Sequence, residues 1–212
     1  MQFVTLLVYD FDGTLVDTKD DIALSVNLTL KELGLSQKNS SEIFGYIGNG
    51  VGQLLERALS GSDYSDVENA VKIFRGIYDS HLIDQTKYYP GCQQIVDHFS
   101  YKKQAICSNK PEYFIKRILK EFDSETWFDP IVGGDTTPVK KPDPEILLSI
   151  IEKHQSLPNE TVLIGDSGVD IETGKRAGVL TCGVTYGIGG KDAVKDADFV
   201  IDHISELKEL FH

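Results

Sequence analysis

The chain has 212 residues, of which 41% are hydrophobic and 25% charged, as expected of a globular protein with a buried core. Its net charge of −12 argues against a nucleic-acid partner, because contacts to a phosphate backbone require a basic surface. A small anionic substrate is compatible with that charge, since a metal ion and one or two lysines can reverse the local field.

Three cysteines lie far apart in the sequence, at Cys92, Cys107 and Cys182. Their odd number and wide spacing argue against a disulfide framework or a zinc site, and favour a reducing compartment. No apolar run has the length of a membrane span, and the N-terminal run leads into acidic residues rather than a signal-peptide cleavage site. We therefore expect a cytoplasmic protein with no membrane partner, and the sequence leaves monomer and homodimer open.

Six short apolar runs without alternation predict the strands of a sheet. The first is Val4–Tyr9, and the others follow at 105–107, 131–132, 162–164, 182–186 and 199–201. Runs that are apolar on both faces are typical of parallel strands covered by helices.

The stretch after the first strand contains helical patterns alone. Thr18 and Asp21 have the spacing of a capping box, and so do Ser65 and Glu68 before a later helix. The apolar positions in Leu54–Leu59 predict a further helix between them. These patterns predict an all-helical insert placed directly after the first strand.

Helices alternate with strands in the rest of the chain. We expect one helix to begin at Pro111, one to be capped by Asp143, and one to run from Ser167 to Gly178. This alternation predicts a doubly wound α/β sheet. The predicted organisation is a core of residues 1–14 and 85–212 and a helical insert of residues 15–84.

The strongest chemical signal is the segment Asp10-Phe11-Asp12-Gly13-Thr14, directly after the first strand. Two positions apart on an extended chain, Asp10 and Asp12 point to the same side, at the strand end where open α/β sheets bind ligands. One carboxylate can attack phosphorus, the other can transfer protons, and Mg²⁺ would relieve their repulsion. Gly13 permits a tight turn, and Thr14 offers hydrogen-bond donors to a phosphate.

A calcium-binding EF-hand loop also begins with Asp-x-Asp, but three features disfavour it here. A strand rather than a helix precedes the motif, Leu15 stands where the loop needs glycine, and Asp21 rather than glutamate stands at the twelfth position.

The segment Cys107-Ser108-Asn109-Lys110-Pro111 joins a predicted strand to a predicted helix. The start of a helix attracts anions, and the Ser108 hydroxyl can donate to a phosphoryl oxygen. The alternative is that Ser108 or Asn109 only caps the helix. We favour a phosphate-binding role, because the segment occurs together with the paired aspartates.

Two later segments supply opposite charges. Of the lysine pair before Pro142, we choose Lys141 as the ammonium that offsets charge on phosphoryl oxygens, although most such pairs are solvated. Asp166 follows the 162–164 strand and is a candidate metal ligand. Asp170 is a further candidate ligand, but Ser167-x-x-Asp170 also has the spacing of a capping box.

Taken together, DFDGT, the CSN serine, the KKP lysine and GDSGVD resemble the haloacid dehalogenase-like hydrolases, in this order and over nearly the whole chain. Within that family, IGNGVGQLLERAL, YYPGCQQIV, SNKPEYFIKRIL and GVTYGIGG look most like the phosphoglycolate phosphatases. The resemblance implies a Rossmann-like core with a mobile helical cap inserted after the first strand.

The resemblance also implies roles for individual residues. Asp10 would be the nucleophile and a Mg²⁺ ligand, and Asp12 would be the general acid/base and give its backbone carbonyl to the metal. Ser108 and Lys141 would bind the phosphoryl group, and Asp166 would complete the protein ligands. The implied reaction is hydrolysis of a small phosphorylated metabolite. We expect specificity to be set in the insert around residues 48–52 and Arg57, and the alternative for Arg57 is the solvated face of an amphipathic helix.

Two other functions are compatible with parts of this pattern. A sugar phosphomutase of the same fold would need insert residues that grip a sugar ring. A non-catalytic phospho-acceptor or binding protein also uses an acidic cluster, a hydroxyl and a lysine, but such domains are shorter and lack the second aspartate, Asp12.

Overall fold

The computed structural model describes residues 1–212 and contains eight strands. They are β1 (Leu6–Tyr9), β2 (Val16–Asp17), β3 (Lys87–Tyr88), β4 (Lys103–Cys107), β5 (Ile131–Val132), β6 (Thr161–Gly165), β7 (Leu180–Val184) and β8 (Phe199–Ile201). Six of them form one parallel sheet in the order β5-β4-β1-β6-β7-β8. The predicted α/β fold class is confirmed, and β7 begins and ends two residues earlier than predicted.

The register of the central strands places the ends of β1, β4 and β6 side by side. Tyr9 of β1 pairs with Ile106 of β4 and with Ile164 of β6. Because these strands are parallel, the residues that follow them meet at one edge of the sheet. Those residues include Asp10, Ser108 and Asp166.

Helices cover both faces of the sheet. They are α1 (Lys19–Glu32), α2 (Ser40–Phe44), α3 (Val51–Leu59), α4 (Val67–Ser80), α5 (Cys92–His98), α6 (Glu112–Glu121), α7 (Glu145–His154), α8 (Gly168–Ala177), α9 (Gly190–Ala193) and α10 (Leu207–Leu210). Side chains of β1 alternate between two hydrophobic clusters: Leu6 and Val8 pack with α7, whereas Leu7 and Tyr9 share the larger cluster with α5 and α6. This alternation explains why β1 is apolar throughout. No helix of the structure is both long enough and apolar enough to cross a membrane.

Four helices, α1 to α4, occupy the chain between β2 and β3. These two short strands pair antiparallel, with Val16 opposite Tyr88, so the chain leaves and re-enters the core through one narrow ribbon. Helix α1 contacts each of the other three helices. Its buried residues Val26 and Leu30 belong to the same hydrophobic cluster as Leu7 and Tyr9 of β1. The insert therefore packs onto the core in this arrangement.

The capping box predicted at Thr18 and Asp21 is wrong. Thr18 does precede α1, but its hydroxyl donates to Oδ1 of Asp12 at 2.6 Å and caps no helix N–H. The Asp21 carboxylate instead accepts the N–H groups of Gln85 and Thr86, more than sixty positions away in sequence. Both side chains therefore have long-range partners, which a local sequence pattern cannot reveal.

Three other helix starts differ from the prediction in detail. Asp66, not Ser65, precedes α4 and accepts the N–H of Asn69, so the box at Ser65 and Glu68 is also wrong. Helix α6 begins one residue after Pro111. Helix α7 begins at Glu145, and the Asp143 carboxylate accepts the Glu145 N–H. The predicted helix from Ser167 to Gly178 is confirmed as α8 with its flanking residues.

Candidate active site

Asp10 lies at the end of the central strand and is buried, with 6% of its surface exposed. Its Oδ1 accepts the N–H of Phe11 at 2.7 Å and lies 2.9 Å from Nζ of Lys141. Ser108 lies near this carboxylate and lines the same cavity. The structure thus brings together three of the predicted catalytic residues, from positions 10, 108 and 141.

Asp10, Asp166 and Asp170 form a buried acidic cluster in which one oxygen from each lies within 4.8 Å of the others. Burial, followed by the charge of Asp170, raises the pKa of Asp166 to about 8 and that of Asp10 to about 6. Burial opposes the charge of Lys141, but Asp10 and Asp170 hold its pKa above the ordinary value. One ammonium among three carboxylates leaves negative charge uncompensated, and hard oxygen donors of this kind fit Mg²⁺.

Asp170 caps a helix with one carboxylate oxygen and contacts a lysine with the other. Its Oδ2 accepts the N–H and the hydroxyl of Ser167, which completes a capping box at the start of α8. Its Oδ1 accepts from Nζ of Lys141 at 2.5 Å. The carboxylate therefore fixes both the helix and the lysine, and it is also a member of the acidic cluster.

Gly13 and Thr14 form the turn against which Asp166 packs. Gly13 has a φ of +83°, and a Cβ there would lie 2.3 Å from Oδ2 of Asp166, so only glycine fits. The Thr14 hydroxyl lies 3.4 Å from Oδ1 of Asp166, and the N–H of Gly189 donates to Oδ2 at 3.0 Å. In this structure the Thr14 hydroxyl is thus directed to Asp166, whereas the sequence analysis expected it to bind phosphate.

Asn109 does not cap α6, which has no side-chain cap. Its side-chain oxygen accepts the N–H of Lys141 at 2.9 Å, and its amide donates to the carbonyl oxygens of Lys141 and of Gly48 at 3.0 Å each. Asn109 therefore positions the segment that carries Lys141 and ties it to a loop of the insert.

Asp12 lies in a polar network that the sequence analysis did not find. Nζ of Lys110 lies 3.0 Å from Oδ1 and 3.3 Å from Oδ2 of Asp12, and it also donates to the hydroxyl of Tyr78 at 2.7 Å. Burial lowers the pKa of Lys110, and the Asp12 charge opposes that shift. Lys110 stood inside a segment already singled out, but its contact with a residue 98 positions away required the fold.

A small cavity of about 50 Å³ lies between the insert and the sheet edge. Asp10, Asp12, Ser108, Asn109 and Lys110 line its core side. The insert contributes mostly apolar residues to the lining, namely Ile22, Ile47, Gly48, Gly50, Val51, Leu54, Phe74 and Tyr78.

The structure does not bring Arg57 to this cavity, and its position agrees with the alternative of a solvated helix face. Arg57 is exposed, and its guanidinium lies 3.5 Å from the carbonyl of Gly45. The reason is helix geometry: α3 buries Leu54, Leu55, Ala58 and Leu59, so Arg57 lies on the solvent side.

Comparison with known proteins supports a common ancestry over most of the chain. Residues 7–184 match a family model described as haloacid dehalogenase-like hydrolase. The chain is 37% identical over 207 residues to a phosphoglycolate phosphatase of Aquifex aeolicus, covering 97% of this chain and 95% of that protein. It is 33% identical over 220 residues to a phosphoglycolate phosphatase of Vibrio parahaemolyticus, with 99% and 96% covered.

A solved structure has the same fold from end to end. The crystal structure of a predicted phosphoglycolate phosphatase from Haemophilus somnus superposes with a TM-score of 0.94, at 26% sequence identity, and the match covers 99% of both chains.

Proposed function

The chain belongs to the haloacid dehalogenase-like hydrolases and is a phosphatase, and on that premise we propose that it hydrolyses a small phosphorylated metabolite of the phosphoglycolate type through an aspartyl-phosphate on Asp10. The observation that carries this proposal is the position of Asp10. It lies at the end of the central strand, with Lys141 2.9 Å from its Oδ1, Ser108 on the same cavity wall, and Asp12 two residues on.

The first chemical step is attack of the Asp10 carboxylate oxygen on phosphorus. The bond from phosphorus to the leaving oxygen breaks, and Asp12 supplies the proton that this oxygen needs. Lys141 and Ser108 stabilise the charge on the phosphoryl oxygens. In the second step Asp12 removes a proton from water, the water oxygen attacks phosphorus, and inorganic phosphate leaves with Asp10 restored.

We assign a Mg²⁺ site to the acidic cluster, because Lys141 pairs with Asp10 and Asp170 and leaves the buried Asp166 without an ion-pair partner. Asp10, Asp166 and the Asp12 backbone carbonyl would hold the ion, with Asp170 as a further candidate. When bound, Mg²⁺ neutralises phosphoryl charge and orients the transferred group. The sequence provides only oxygen donors here, which is the ligand type that this metal prefers.

The insert, residues 15–84, acts in this proposal as a cap over the core of residues 1–14 and 85–212. The cavity in the present arrangement is only about 50 Å³, so entry of a substrate requires the insert to move. The ribbon of β2 and β3 is the connection about which it would pivot.

The apolar character of the insert lining argues against a sugar phosphomutase. Gripping a sugar ring requires several hydrogen-bonding side chains, whereas the lining from the insert is apolar apart from the tyrosine hydroxyl of Tyr78 and main-chain groups. A short leaving group fits this lining better.

The test is a screen of the purified protein for Mg²⁺-dependent phosphate release from a panel of metabolites. We expect phosphoglycolate to give a higher kcat/KM than hexose phosphates and nucleoside monophosphates, and excess chelator to stop the reaction. A clear preference for a sugar phosphate would overturn the substrate class, and full activity in chelator would overturn the metal assignment.

A further inference from the structure

A buried ammonium connects the core to the insert next to the proposed acid/base. Nζ of Lys110 lies 3.0 Å from Oδ1 of Asp12 and 2.7 Å from the Tyr78 hydroxyl, and it stands 4.6 Å from the centre of the Tyr78 ring. The Lys110 side chain is only 3% exposed, and Tyr78 is buried on α4 of the insert. An ammonium deprived of water depends on such partners for its stability.

The two oxygens of Asp12 have unequal surroundings. Oδ1 accepts from the Thr18 hydroxyl at 2.6 Å and from Lys110 at 3.0 Å, whereas Oδ2 has only the longer contact to Lys110 at 3.3 Å. Two donors on one oxygen restrict the rotation of the carboxylate and leave the other oxygen less occupied. Oδ2 is therefore the oxygen better placed to give up or take a proton.

Two of the three side chains in this network come from the insert side of the chain. Thr18 precedes α1, and Tyr78 lies near the end of α4. Movement of the insert away from the core would remove the Tyr78 hydroxyl from Lys110 and would displace Thr18 from Asp12. The orientation of Asp12 then depends on the insert being docked.

We propose that Lys110 is a positioning residue that orients Asp12 for proton transfer, and that Tyr78 makes this orientation conditional on closure of the insert. The inference rests on the proposed function, because it assumes that Asp12 transfers the proton. It goes beyond it by assigning residues that touch neither the transferred phosphoryl group nor the acidic cluster. The consequence is that the acid/base is aligned only when the site is closed to water.

The test compares three substrates: phosphoglycolate, ethyl phosphate and p-nitrophenyl phosphate. The first two have poor leaving groups and differ in charge, and the third has a good leaving group that needs little protonation. For Tyr78→Phe we expect kcat to fall roughly tenfold on both alkyl phosphates, the value of about one hydrogen bond to a charged group, and to fall much less on the aryl phosphate. Lys110→Met should show the same pattern with larger losses.

The matched control is Tyr9→Phe. It also removes a buried tyrosine hydroxyl, one that donates to Gln104 at 3.0 Å rather than contacting the proposed network. Its rates should be unchanged on all three substrates. If Lys110→Met fails to fold, Tyr78→Phe carries the test, because it keeps the ring packing of α4 and removes one oxygen atom.

A double variant separates this proposal from a general effect of insert stability. In an Asp12→Asn background, adding Tyr78→Phe should change kcat on phosphoglycolate by less than about twofold, because the group through which Tyr78 acts has been removed. Equal losses on alkyl and aryl phosphates, or a full Tyr78 effect in the Asp12→Asn background, would overturn the proposal. If Lys110→Met raises KM for phosphoglycolate and leaves KM for the other two substrates unchanged, Lys110 binds the substrate carboxylate, which would also overturn the proposal.

A different result would contradict the proposed function itself. If Asp12→Asn alone keeps normal rates on ethyl phosphate, Asp12 is not the acid/base, whatever the Tyr78 variant does.

Discussion

The Asp10 carboxylate lies where burial disfavours its ionised form and a neighbouring lysine stabilises that form. Burial raises its pKa to about 6, while Lys141, 2.9 Å away, favours the ionised form that a nucleophile requires. The Phe11 N–H also donates to this carboxylate, at 2.7 Å. These contacts hold one carboxylate still at the end of the central strand.

For Asp10→Asn we expect the fold to be retained and turnover to fall by roughly 10³-fold or more, because an amide cannot form the phosphoenzyme. Wild-type protein quenched in acid during turnover should carry a phosphoryl group that hydroxylamine removes, and the variant should carry none. Asp97→Asn, an exposed aspartate on α5, is the control and should behave as wild type. Near-normal turnover by freshly purified Asp10→Asn, with deamidation excluded, would show that Asp10 is not the nucleophile.

The site residues that lie at strand ends could be predicted from the sequence. Asp10, Ser108 and Asp166 could be predicted to converge because parallel strands end together, and Lys141 because a phosphate site needs a cation. Lys110 could not be assigned, because nothing local shows that its side chain turns back to Asp12. Arg57 lies away from the cavity, because the apolar pattern of its own helix places it on the solvent side.

At the scale of elements, the ribbon of β2 and β3 shows why some parts of the fold escaped prediction. A strand of two residues has no measurable periodicity, so its partner could not be found. Helix α5 is different, because the buried residues Cys92, Ile95, Val96 and Phe99 recur at helical spacing after Gly91. That spacing is visible in the sequence, but helix α5 is not among the helices predicted above.

The same ribbon depends on one buried carboxylate. Oδ2 of Asp21 on α1 accepts the Thr86 N–H at 2.8 Å and the Thr86 hydroxyl at 2.7 Å. Both carboxylate oxygens of Asp21 lie 3.0 Å from the backbone nitrogen of Gln85. These residues immediately precede β3, so Asp21 fixes the point where the chain returns from the insert to the core.

Asp21→Ala should lower the free energy of unfolding by about 3 kcal/mol, because the buried N–H and hydroxyl of Thr86 and the part-buried N–H of Gln85 lose a charged acceptor. Urea denaturation of the two proteins measures this difference. Asp20→Ala is the matched control in the same helical turn; its side chain is 45% exposed, and we expect a change within about 0.5 kcal/mol. If the two substitutions cost the same, Asp21 does not anchor the ribbon.

At the scale of the whole molecule, three of the chain's four buried carboxylates lie together at one site between the core and the insert. The net charge of −12 is spread over 33 acidic and 21 basic residues, but the acidic cluster is distinctive in being buried. Composition alone argues against nucleic acid as a partner, but it cannot show that buried carboxylates are grouped at one site. The grouping of these carboxylates is set by the order of the strands, which follows from parallel pairing and the positions of the crossover helices.

The stability of the folded protein should therefore depend on Mg²⁺ and pH together. The pKa of Asp166 is about 8 in the folded protein without metal, against an ordinary value of 3.8, so between these values the folded state binds more protons than the unfolded chain. Stability contributed by this group falls as pH rises across that window, because the folded state must then either keep a proton or bury a charge. Mg²⁺ binds the deprotonated cluster, so protons compete with it.

We expect saturating Mg²⁺ to raise Tm more at about pH 8 than at about pH 5.5, because fewer protons compete at the higher pH. Asp166→Asn should remove most of the Mg²⁺ effect at both values. Without metal, the same variant should gain stability relative to wild type as pH rises, since its amide has no charge to bury. Thermal unfolding of both proteins at the two pH values, with Mg²⁺ and with chelator, gives all the required differences. A Mg²⁺-induced rise in Tm that is equal at both pH values, or that persists in Asp166→Asn, would mean that the ion binds outside the acidic cluster.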